Sequence, residues 1–427
     1  MAGRKQNEMT DRQGDMDRRN FLKTAAAAGF SSVVASAAAV GGSEQQNTQT
    51  KPQEPKLPQV PRRKLGKTGV EVSCLCLGGD FSFLDKQIIL RRALDWGVNY
   101  WDTAYNYGGG NAELGIGKFL TRNPKVRKDL FIVSKAAIFW GPVTAEKVES
   151  RLQTSLKRMN TKYIDLYYAF HGLSDPARLT DELRQWAKSA KKRKLIRFFG
   201  FSTHKNMAQC LAAAAELDWI DAVTTLYNFR VMQDPKMQAA IKACRKAGVG
   251  LTAMKALSRS VRRLQPIETE EDKKLVGHFL QRGFTEGQAK VKVVLEDKRF
   301  GSVCVGMENI ALLNSNIAAA LDKTKLTRAD MQVFREYARS TCSSYCAGCA
   351  HICDSALPDV PYVSDIMRCL MYYNGYGHKA RARELFAHIP EGVRRRLLST
   401  DYSLAEARCP QRLAIAELIA EAVGKLA

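Results

Sequence analysis

The chain has 427 residues, of which 45% are hydrophobic and 26% charged, and its formal net charge at pH 7 is +23. This length exceeds the roughly 250 residues of one α/β barrel, so we expect one large domain with smaller additions. Basic residues are spread along the chain, and their densest run, residues 188–197, falls at a predicted helix end, where the helix dipole favours cations. The charge therefore does not favour nucleic acid as a partner, although attraction to an acidic surface or protein stays open.

The first 40 residues resemble a twin-arginine export signal. Arg18 and Arg19 precede a mildly apolar stretch of small residues that is too polar and too interrupted to span a bilayer. Residues 41–60 lack hydrophobic periodicity and are rich in Gln, Pro and Thr, which predicts a disordered linker. We therefore expect a periplasmic or otherwise extracytoplasmic protein, exported by the twin-arginine route, with no stable membrane span.

Short apolar runs alternate with helical patterns across residues 61–322. After a Gly-punctuated hairpin, the first predicted strand ends at Gly78-Gly79. The seven strands that follow cover 99–104, 130–135, 163–170, 196–202, 221–227, 249–256 and 302–306. Predicted helices cover 86–96, 113–120, 144–159, 177–190, 204–217 and 235–247, with a helical insert at 268–296 and a closing helix from 309. Eight strand-then-helix units predict an α/β fold, the closed parallel (β/α)8 TIM barrel. No GxGxxG sequence follows a strand, which argues against a Rossmann cofactor site.

Four polar side chains lie at or just after the ends of predicted strands, where barrel active sites form: Asp102, Tyr107, Lys135 and His171. Reduction of a carbonyl needs a proton at oxygen, but a phenol with an ordinary pKa of about 10 is a poor acid at neutral pH. We expect the Lys135 ammonium to lower the pKa of Tyr107, Asp102 to hold Lys135 in place, and His171 to orient the carbonyl. The sequence thus predicts a catalytic set of these four residues.

This set resembles the tetrad of aldo-keto reductases, and the resemblance extends over roughly residues 60–320. Further matching elements are Glu113, the RFFGFS strand followed by His204, Tyr227-Asn228, and Val305 with the two residues after it. The resemblance implies an oxidoreductase that uses NADP or NAD to reduce a small carbonyl or oxidise an alcohol. It implies cofactor contacts from Ser202, Thr203, Tyr227, Met254, Lys255, Gly306 and Met307. The choice between NADP and NAD stays open, because residues 307–310 lack the basic side chains that would bind a 2′-phosphate bidentately.

Residues 323–427 contain a run of cysteines, Cys342, Cys346, Cys349 and Cys353, within a dozen positions. Loops this small do not suit pairwise disulfides, and the run is typical of iron-sulfur clusters rather than of zinc, whose ligands usually come in two separated pairs. The segment resembles the ferredoxin-like 4Fe-4S extension of some exported aldo-keto reductases, including an element at Cys409. Two ligand sets stay open: Cys342, Cys346 and Cys349 with either Cys353 or Cys409. Zinc, and a thiol redox pair or disulfides, remain alternatives.

Three functions are compatible with the sequence. The first is an exported nicotinamide-dependent oxidoreductase coupled to, or accompanied by, a 4Fe-4S cluster. The second is an iron-sulfur electron-transfer protein on a barrel scaffold, without nicotinamide turnover and with a redox partner protein. The third is a binding module whose barrel mouth holds a ligand without turnover.

Overall fold

The structure is a computed structural model that describes residues 57–138, 141–262 and 269–427. The expected export signal and most of the expected linker lie outside the described residues. None of the helices in the described ranges is long and apolar enough to cross a membrane.

Eight parallel strands close into a barrel, which confirms the predicted fold class. In chain order they are β3 Leu75–Gly78, β4 Tyr100–Asp102, β5 Phe131–Lys135, β6 Ile164–Phe170, β7 Ile196–Thr203, β8 Ala222–Leu226, β9 Gly250–Met254 and β10 Ser302–Gly306. The last strand pairs with both β3 and β9, so the sheet has no free edge. Because all eight strands run in the same direction, their carboxyl ends, and the residues that follow them, meet at one mouth.

Helices of predominantly amphipathic pattern surround the strands. They are α1 Gln87–Asp95, α2 Asn111–Arg122, α3 Ala145–Arg158, α4 Asp181–Lys192, α5 Met207–Glu216, α6 Pro235–Lys246, α7 Glu270–Gln281, α8 Glu286–Leu295 and α9 Ile310–Leu321. The predicted single helical insert is two helices, because Gly283 adopts a positive φ of 81° between them. That left-handed conformation ends a helix and favours glycine.

A short antiparallel hairpin, β1 Arg62–Lys64 and β2 Glu71–Ser73, lies at the amino ends of the strands. Leu65 is fully buried there and joins the apolar cluster inside the barrel. Gly66, at φ 52°, lies so close to the backbone that an added Cβ would be 2.3 Å from the Gly248 carbonyl oxygen. The hairpin thus closes the end of the barrel opposite the mouth, and only glycine fits its closest approach.

The C-terminal region consists of short helices with an apolar core of their own. They are α10 Arg328–Ser340, α11 Ala350–Ala356, α12 Val363–Leu370, α13 Lys379–Ala387, α14 Glu391–Arg394, α15 Ser403–Arg408 and α16 Ile415–Leu426, with one π-helical turn, Met371–Gly375. The first of these helices packs with the barrel, because Phe334 contacts the rings of Phe229 and Phe279. The second apolar cluster therefore consists of residues that follow this helix, together with Val261.

Candidate active site

Asp102 ends β4 and Lys135 ends the neighbouring strand β5. The Lys135 Nζ donates to the Asp102 carboxylate at 2.5 Å and to the Thr103 carbonyl oxygen at 2.8 Å. Both side chains are buried, 3% and 6% exposed respectively. A buried ion pair needs additional hydrogen bonds to offset desolvation, and the Thr103 carbonyl supplies one.

Tyr107 and His171 complete the group. Tyr107 opens the 3-10 turn Tyr107–Gly110 after β4, and His171 follows β6 directly. The Tyr107 hydroxyl and the His171 Nε2 share a hydrogen bond of 3.0 Å. The Lys135 Nζ lies 4.9 Å from the centre of the Tyr107 ring. The structure therefore brings all four sequence-predicted catalytic residues together at the mouth.

The pKa of Tyr107 differs from the expectation drawn from sequence. Burial raises it well above 10, and the negative charges of Asp80 and Asp102 raise it further. Lys135 does not reverse this, because its ammonium faces the Asp102 carboxylate and lies over the Tyr107 ring instead of hydrogen bonding to the hydroxyl. Tyr107 is thus a protonated phenol at neutral pH and a weaker acid than an ordinary phenol.

His171 is neutral in the same environment. Burial lowers its pKa well below 6.5, and the charges of Lys135, Arg368 and Arg381 act in the same direction. The pKa of Asp102 is raised by burial, which Lys135 partly offsets. The mouth is therefore a dehydrated, cation-rich site in which a neutral imidazole stands beside a neutral phenol.

The residues expected to contact a nicotinamide are engaged within the protein. Ser202 donates to the His171 carbonyl oxygen at 2.8 Å, and Thr203 donates to the Lys205 carbonyl oxygen at 2.9 Å. The Tyr227 hydroxyl donates to Asp297 at 2.8 Å, and its ring stacks on Phe300. Met254 and Met307 are buried, and the Gly306 carbonyl oxygen accepts from Asn316 at 3.4 Å.

Lys255 shows why these residues are not open to a cofactor. Its Nζ donates to the hydroxyl of Tyr372, in the C-terminal region, at 3.0 Å. Asn228, which follows β8, likewise donates to the Tyr345 hydroxyl at 2.9 Å. The cavity that remains beside Lys255 has a volume of only about 30 Å³ and is bordered by Tyr345 and Met371. Small-molecule and cofactor sites usually enclose at least about 300 Å³, so a nicotinamide dinucleotide does not fit in this arrangement.

A larger cavity of about 360 Å³ opens beside His171. Its barrel wall includes Phe170, His171 and His204, and its other wall belongs to the C-terminal region, with Arg368 and Ile389. Tyr107 is not part of this lining, but its hydroxyl is one hydrogen bond behind the His171 imidazole. The cavity therefore gives a small molecule access to His171, the one tetrad residue in its lining.

The sequence patterns did not reveal the role of the C-terminal region in this site. Tyr372, Arg368 and Arg381 reach the barrel mouth and act electrostatically on Tyr107 or His171. The sequence signal for this role was the interleaving of tyrosines with Arg368 and Arg381. In the structure these residues surround the π-helical turn Met371–Gly375. Such turns occur frequently at functional sites.

All eleven cysteines are free. Burial raises the pKa of both Cys346 and Cys353 to about 12, and the nearby thiols of Cys349 and Cys409 contribute to each shift. Cys342 instead lies within electrostatic range of Arg230. The structure thus groups the thiols of Cys346, Cys349, Cys353 and Cys409, a combination that neither sequence-based ligand set contained.

Within residues 57–138, 141–262 and 269–427, no three His, Cys, Asp or Glu side chains are grouped closely enough to hold a metal ion. The Cys409 thiol contributes to raising the pKa of the other three, yet the four do not form such a group. Because the pKa values of Cys346, Cys349 and Cys353 are raised, binding of any metal must displace protons from these three thiols.

The closed parallel barrel and the four converging side chains define a class of protein, the barrel oxidoreductases. The sequence profile of the Aldo/keto reductase family matches residues 75–339, from β3 to the end of helix α10. The match covers more than half of the chain, so the chain belongs to the aldo/keto reductase family.

Three relatives illustrate the extent of the similarity. A protein of Schizosaccharomyces pombe named aldo-keto reductase yakc, with NADP(+) in its name, is 28% identical over 217 residues, which are 47% of this chain and 62% of the relative. An aldo-keto reductase of Gibberella moniliformis is 33% identical over 175 residues, 40% of this chain and 51% of the relative. The L-galactose dehydrogenase of Arabidopsis thaliana is 23% identical over 291 residues, 63% of this chain and 90% of the relative. The chain thus spans 62% and 51% of the first two relatives' lengths.

A solved structure shares the fold. An aldo-keto reductase of Bacillus halodurans, in its holo form, matches with a TM-score of 0.53 at 22% identity, over 65% of this chain and 96% of that chain.

Proposed function

We propose that this protein reduces a small carbonyl compound, or oxidises the corresponding alcohol, with Tyr107 as the proton donor. The observation that carries the proposal is the hydrogen bond of 3.0 Å between the Tyr107 hydroxyl and His171, next to the buried Asp102–Lys135 pair. A carbonyl that accepts a hydride at carbon becomes an alkoxide at oxygen, and a protonated phenol is a suitable acid for that oxygen. The raised pKa of Tyr107 keeps the phenol protonated at neutral pH but makes it a weaker acid, so its proton moves only to the developing alkoxide, which is the stronger base.

The other three residues position the donor. A substrate oxygen at the Tyr107 hydroxyl would also lie within reach of the His171 imidazole, which orients it by hydrogen bonding. Asp102 holds the Lys135 ammonium over the face of the Tyr107 ring, where a positive charge stabilises the phenolate that remains after proton transfer. Burial of these side chains lowers the local dielectric and strengthens each of these interactions.

A nicotinamide would supply the hydride, as the family resemblance and the name of the S. pombe relative suggest. The residues present do not accommodate it, because Tyr372 and Tyr345 occupy the groove beside Lys255 and Asn228. We infer that a nicotinamide dinucleotide binds only when the segment around these tyrosines moves away from the strands.

The test uses the full chain purified without oxygen. Oxidation of NADPH and of NADH is followed with a panel of small aldehydes and ketones, for the wild type and for Tyr107→Phe. The matched control is Tyr105→Phe, whose ring lies between Arg151 and Arg158 outside the tetrad. Turnover that is lost in Tyr107→Phe and kept in Tyr105→Phe supports the proposal, and equal turnover in both variants contradicts it.

A second candidate function is electron transfer through a 4Fe-4S cluster without nicotinamide turnover. Two observations favour it: the filled groove at Lys255 and the grouping of Cys346, Cys349, Cys353 and Cys409. The close spacing of Cys342, Cys346, Cys349 and Cys353 in the sequence is more typical of iron-sulfur clusters than of zinc, whose ligands usually come in two separated pairs.

Iron and acid-labile sulfide measured on the full chain purified without oxygen test this candidate. Cys409→Ser is expected to lose most of the iron, whereas Cys342→Ser is expected to keep it, because the Cys342 thiol interacts with Arg230. Zinc in place of iron, or iron loss in both variants alike, contradicts the ligand set. A protein that contains iron and sulfide but does not oxidise NADPH or NADH favours this function over the first.

We further propose that the chain is exported by the twin-arginine route, on the basis of Arg18, Arg19 and the small apolar stretch that follows. N-terminal sequencing of the protein recovered from the cell envelope tests this. A mature chain that begins near residue 40 supports export, and an intact residue 1 in the cytoplasmic fraction contradicts it.

A further inference from the structure

The cavity beside His171 is built by two separate parts of the chain. The strand ends and loops of the barrel contribute Phe170, His171 and Arg178, and the C-terminal helices contribute Arg368 and Ile389. Its volume of about 360 Å³ lies at the lower end of the range for ligand sites, about 300–1,000 Å³. The cavity therefore suits a small molecule and not a dinucleotide.

The charged side chains of this cavity are predominantly cationic. Lys205 pairs with Asp365 at 2.6 Å, and Asp365 is the single carboxylate among the lining residues that the structure describes. The guanidinium groups of Arg178 and Arg368 remain beyond that pair. An excess of positive charge in a partly enclosed cavity attracts an anion.

Arg368 is the member of this group that most needs a ligand. Its Nε is buried, and no hydrogen-bond acceptor for it is present in the described part of the chain. A buried donor without a partner is costly, and a carboxylate satisfies a guanidinium with two parallel hydrogen bonds. The ring of Tyr372, 6.0 Å from this guanidinium, lies alongside it and offers no such bond.

Arg368 and His171 line the same cavity, and the charge of Arg368 contributes to lowering the pKa of His171. A carboxylate on Arg368 would leave the rest of a short molecule directed toward His171 and the Tyr107 hydroxyl behind it. The remaining walls include Phe170, Leu385 and Ile389, which suit a short hydrocarbon part. The ligand that fits has a carboxylate at one end and a polar oxygen a few atoms away.

We propose that this cavity binds a small oxo acid, with its carboxylate on the guanidinium of Arg368 and its carbonyl toward His171. As a statement about the substrate, this rests on the proposed carbonyl reduction. As a binding site, it stands on the cavity and the unpaired guanidinium alone.

Isothermal titration calorimetry of the full chain at fixed ionic strength tests the proposal with four probes: 2-oxobutanoate, butanoate, butanone and inorganic phosphate. Both carboxylates are expected to bind at least about tenfold more tightly than butanone, as one charged hydrogen-bonded contact provides. Phosphate is expected to bind more weakly than 2-oxobutanoate. Phosphate binding that is equal or tighter overturns the assignment to a carboxylate.

Arg368→Gln is expected to weaken binding of the carboxylates about tenfold or more and to leave butanone unchanged. Arg395→Gln removes the same charge from an exposed surface pair and serves as the control. Thermal unfolding verifies that Arg368→Gln is folded, and Arg178→Gln is the second variant if it is not. Carboxylate binding that is unchanged in the folded variant overturns the proposal.

Tyr107→Phe separates this inference from the proposed function. It is expected to bind 2-oxobutanoate as the wild type does, although it loses turnover. If Tyr107→Phe retains turnover, the proposed chemistry is wrong while the anion site stands. If Arg368→Gln binds normally while turnover depends on Tyr107, the anion site is wrong while the chemistry stands.

Discussion

Two tyrosines at the barrel mouth are both fully buried and both next to a lysine, yet their pKa values move in opposite directions. Tyr107, inside the mouth beside Lys135, has a pKa raised well above 10. Tyr372, where the C-terminal region meets the barrel beside Lys255, has a pKa below its ordinary value. Burial acts to raise the pKa in both cases, so another factor decides the sign.

The deciding factor is the atom that each ammonium faces. The Lys135 Nζ bonds to the Asp102 carboxylate and the Thr103 carbonyl oxygen, and so it gives no hydrogen bond to the Tyr107 oxygen. The Lys255 Nζ donates directly to the Tyr372 hydroxyl at 3.0 Å. For Tyr372, the charge of Lys255, together with Arg368 and Arg381, outweighs burial and the nearby Asp80. The pKa of Tyr372 thus falls through the charge of these cations, which favours the phenolate, and the Lys255 ammonium is close enough to hydrogen bond to the Tyr372 oxygen.

Unusual backbone conformations accompany the pair of Lys255 and Tyr372. Lys255 has a positive φ of 61°, and Tyr372 lies in the π-helical turn Met371–Gly375. Both conformations are disfavoured for ordinary residues and persist where the surrounding structure imposes them. The barrel thus has a strained residue, Lys255, where it meets the C-terminal region, and Ala137, two residues after Lys135, has a similar positive φ of 51°.

The largest expected effect is on kcat, which should depend on Tyr107 much more than on Tyr372. Tyr107→Phe removes the proposed proton donor and should lower kcat by about 10²–10⁴-fold. Tyr372→Phe leaves the Tyr107–His171 hydrogen bond intact and should lower kcat by less than about tenfold. Steady-state kinetics of both variants with one carbonyl substrate check this, and a greater loss in Tyr372→Phe would reverse the assignment.

Asp102→Asn breaks the buried ion pair between Asp102 and Lys135. It leaves the Lys135 ammonium buried without its carboxylate, which should lower the free energy of unfolding by about 3–5 kcal/mol. The exposed pair Arg184–Asp218 provides the control, because Asp218→Asn should cost no more than about 1 kcal/mol. Urea unfolding measures both values, and similar losses in the two variants would contradict the buried role of Asp102.

Tyr372→Phe sharpens the comparison through titration. The wild type should show one tyrosine that ionises below the ordinary pKa of about 10 in ultraviolet difference absorbance. This early ionisation should disappear in Tyr372→Phe and persist in Tyr107→Phe. The idea that Lys255 controls Tyr372 fails if the early ionisation remains in Lys255→Met.

The smallest expected effect concerns stability at acid pH. The pKa of His171 is lowered by burial and by neighbouring cations, so below pH about 6.5 the unfolded chain binds a proton that the folded chain does not. Stability should therefore be full above pH 6.5 and decline as the pH falls, with His171 contributing at most about 1.4 kcal/mol per pH unit. His171→Asn should show a shallower decline in urea unfolding between pH 7 and pH 5, and an unchanged slope would contradict this.

Local patterns in the sequence were sufficient for the barrel. Each strand is a short apolar run and each helix an amphipathic one, and the strand ends place Asp102, Lys135 and His171 in chain order. A closed parallel barrel necessarily brings these ends to one mouth, and so the convergence of the four side chains followed from the fold. The break at Gly283 is also a local signal, because glycine favours the left-handed conformation that ends a helix.

The sequence by itself determined the barrel, the order of its strands and the residues at its mouth, because these depend on the periodicity of neighbouring residues. Only the tertiary structure decided the sign of the Tyr107 pKa, the filling of the groove at Lys255, and the grouping of Cys409 with Cys346, Cys349 and Cys353. Each of these depends on burial or on a contact between distant positions, such as the 117 residues that separate Lys255 from Tyr372. Hydrogen bonds and burial of that kind are set by how the C-terminal region packs on the barrel, and a linear pattern does not record that packing.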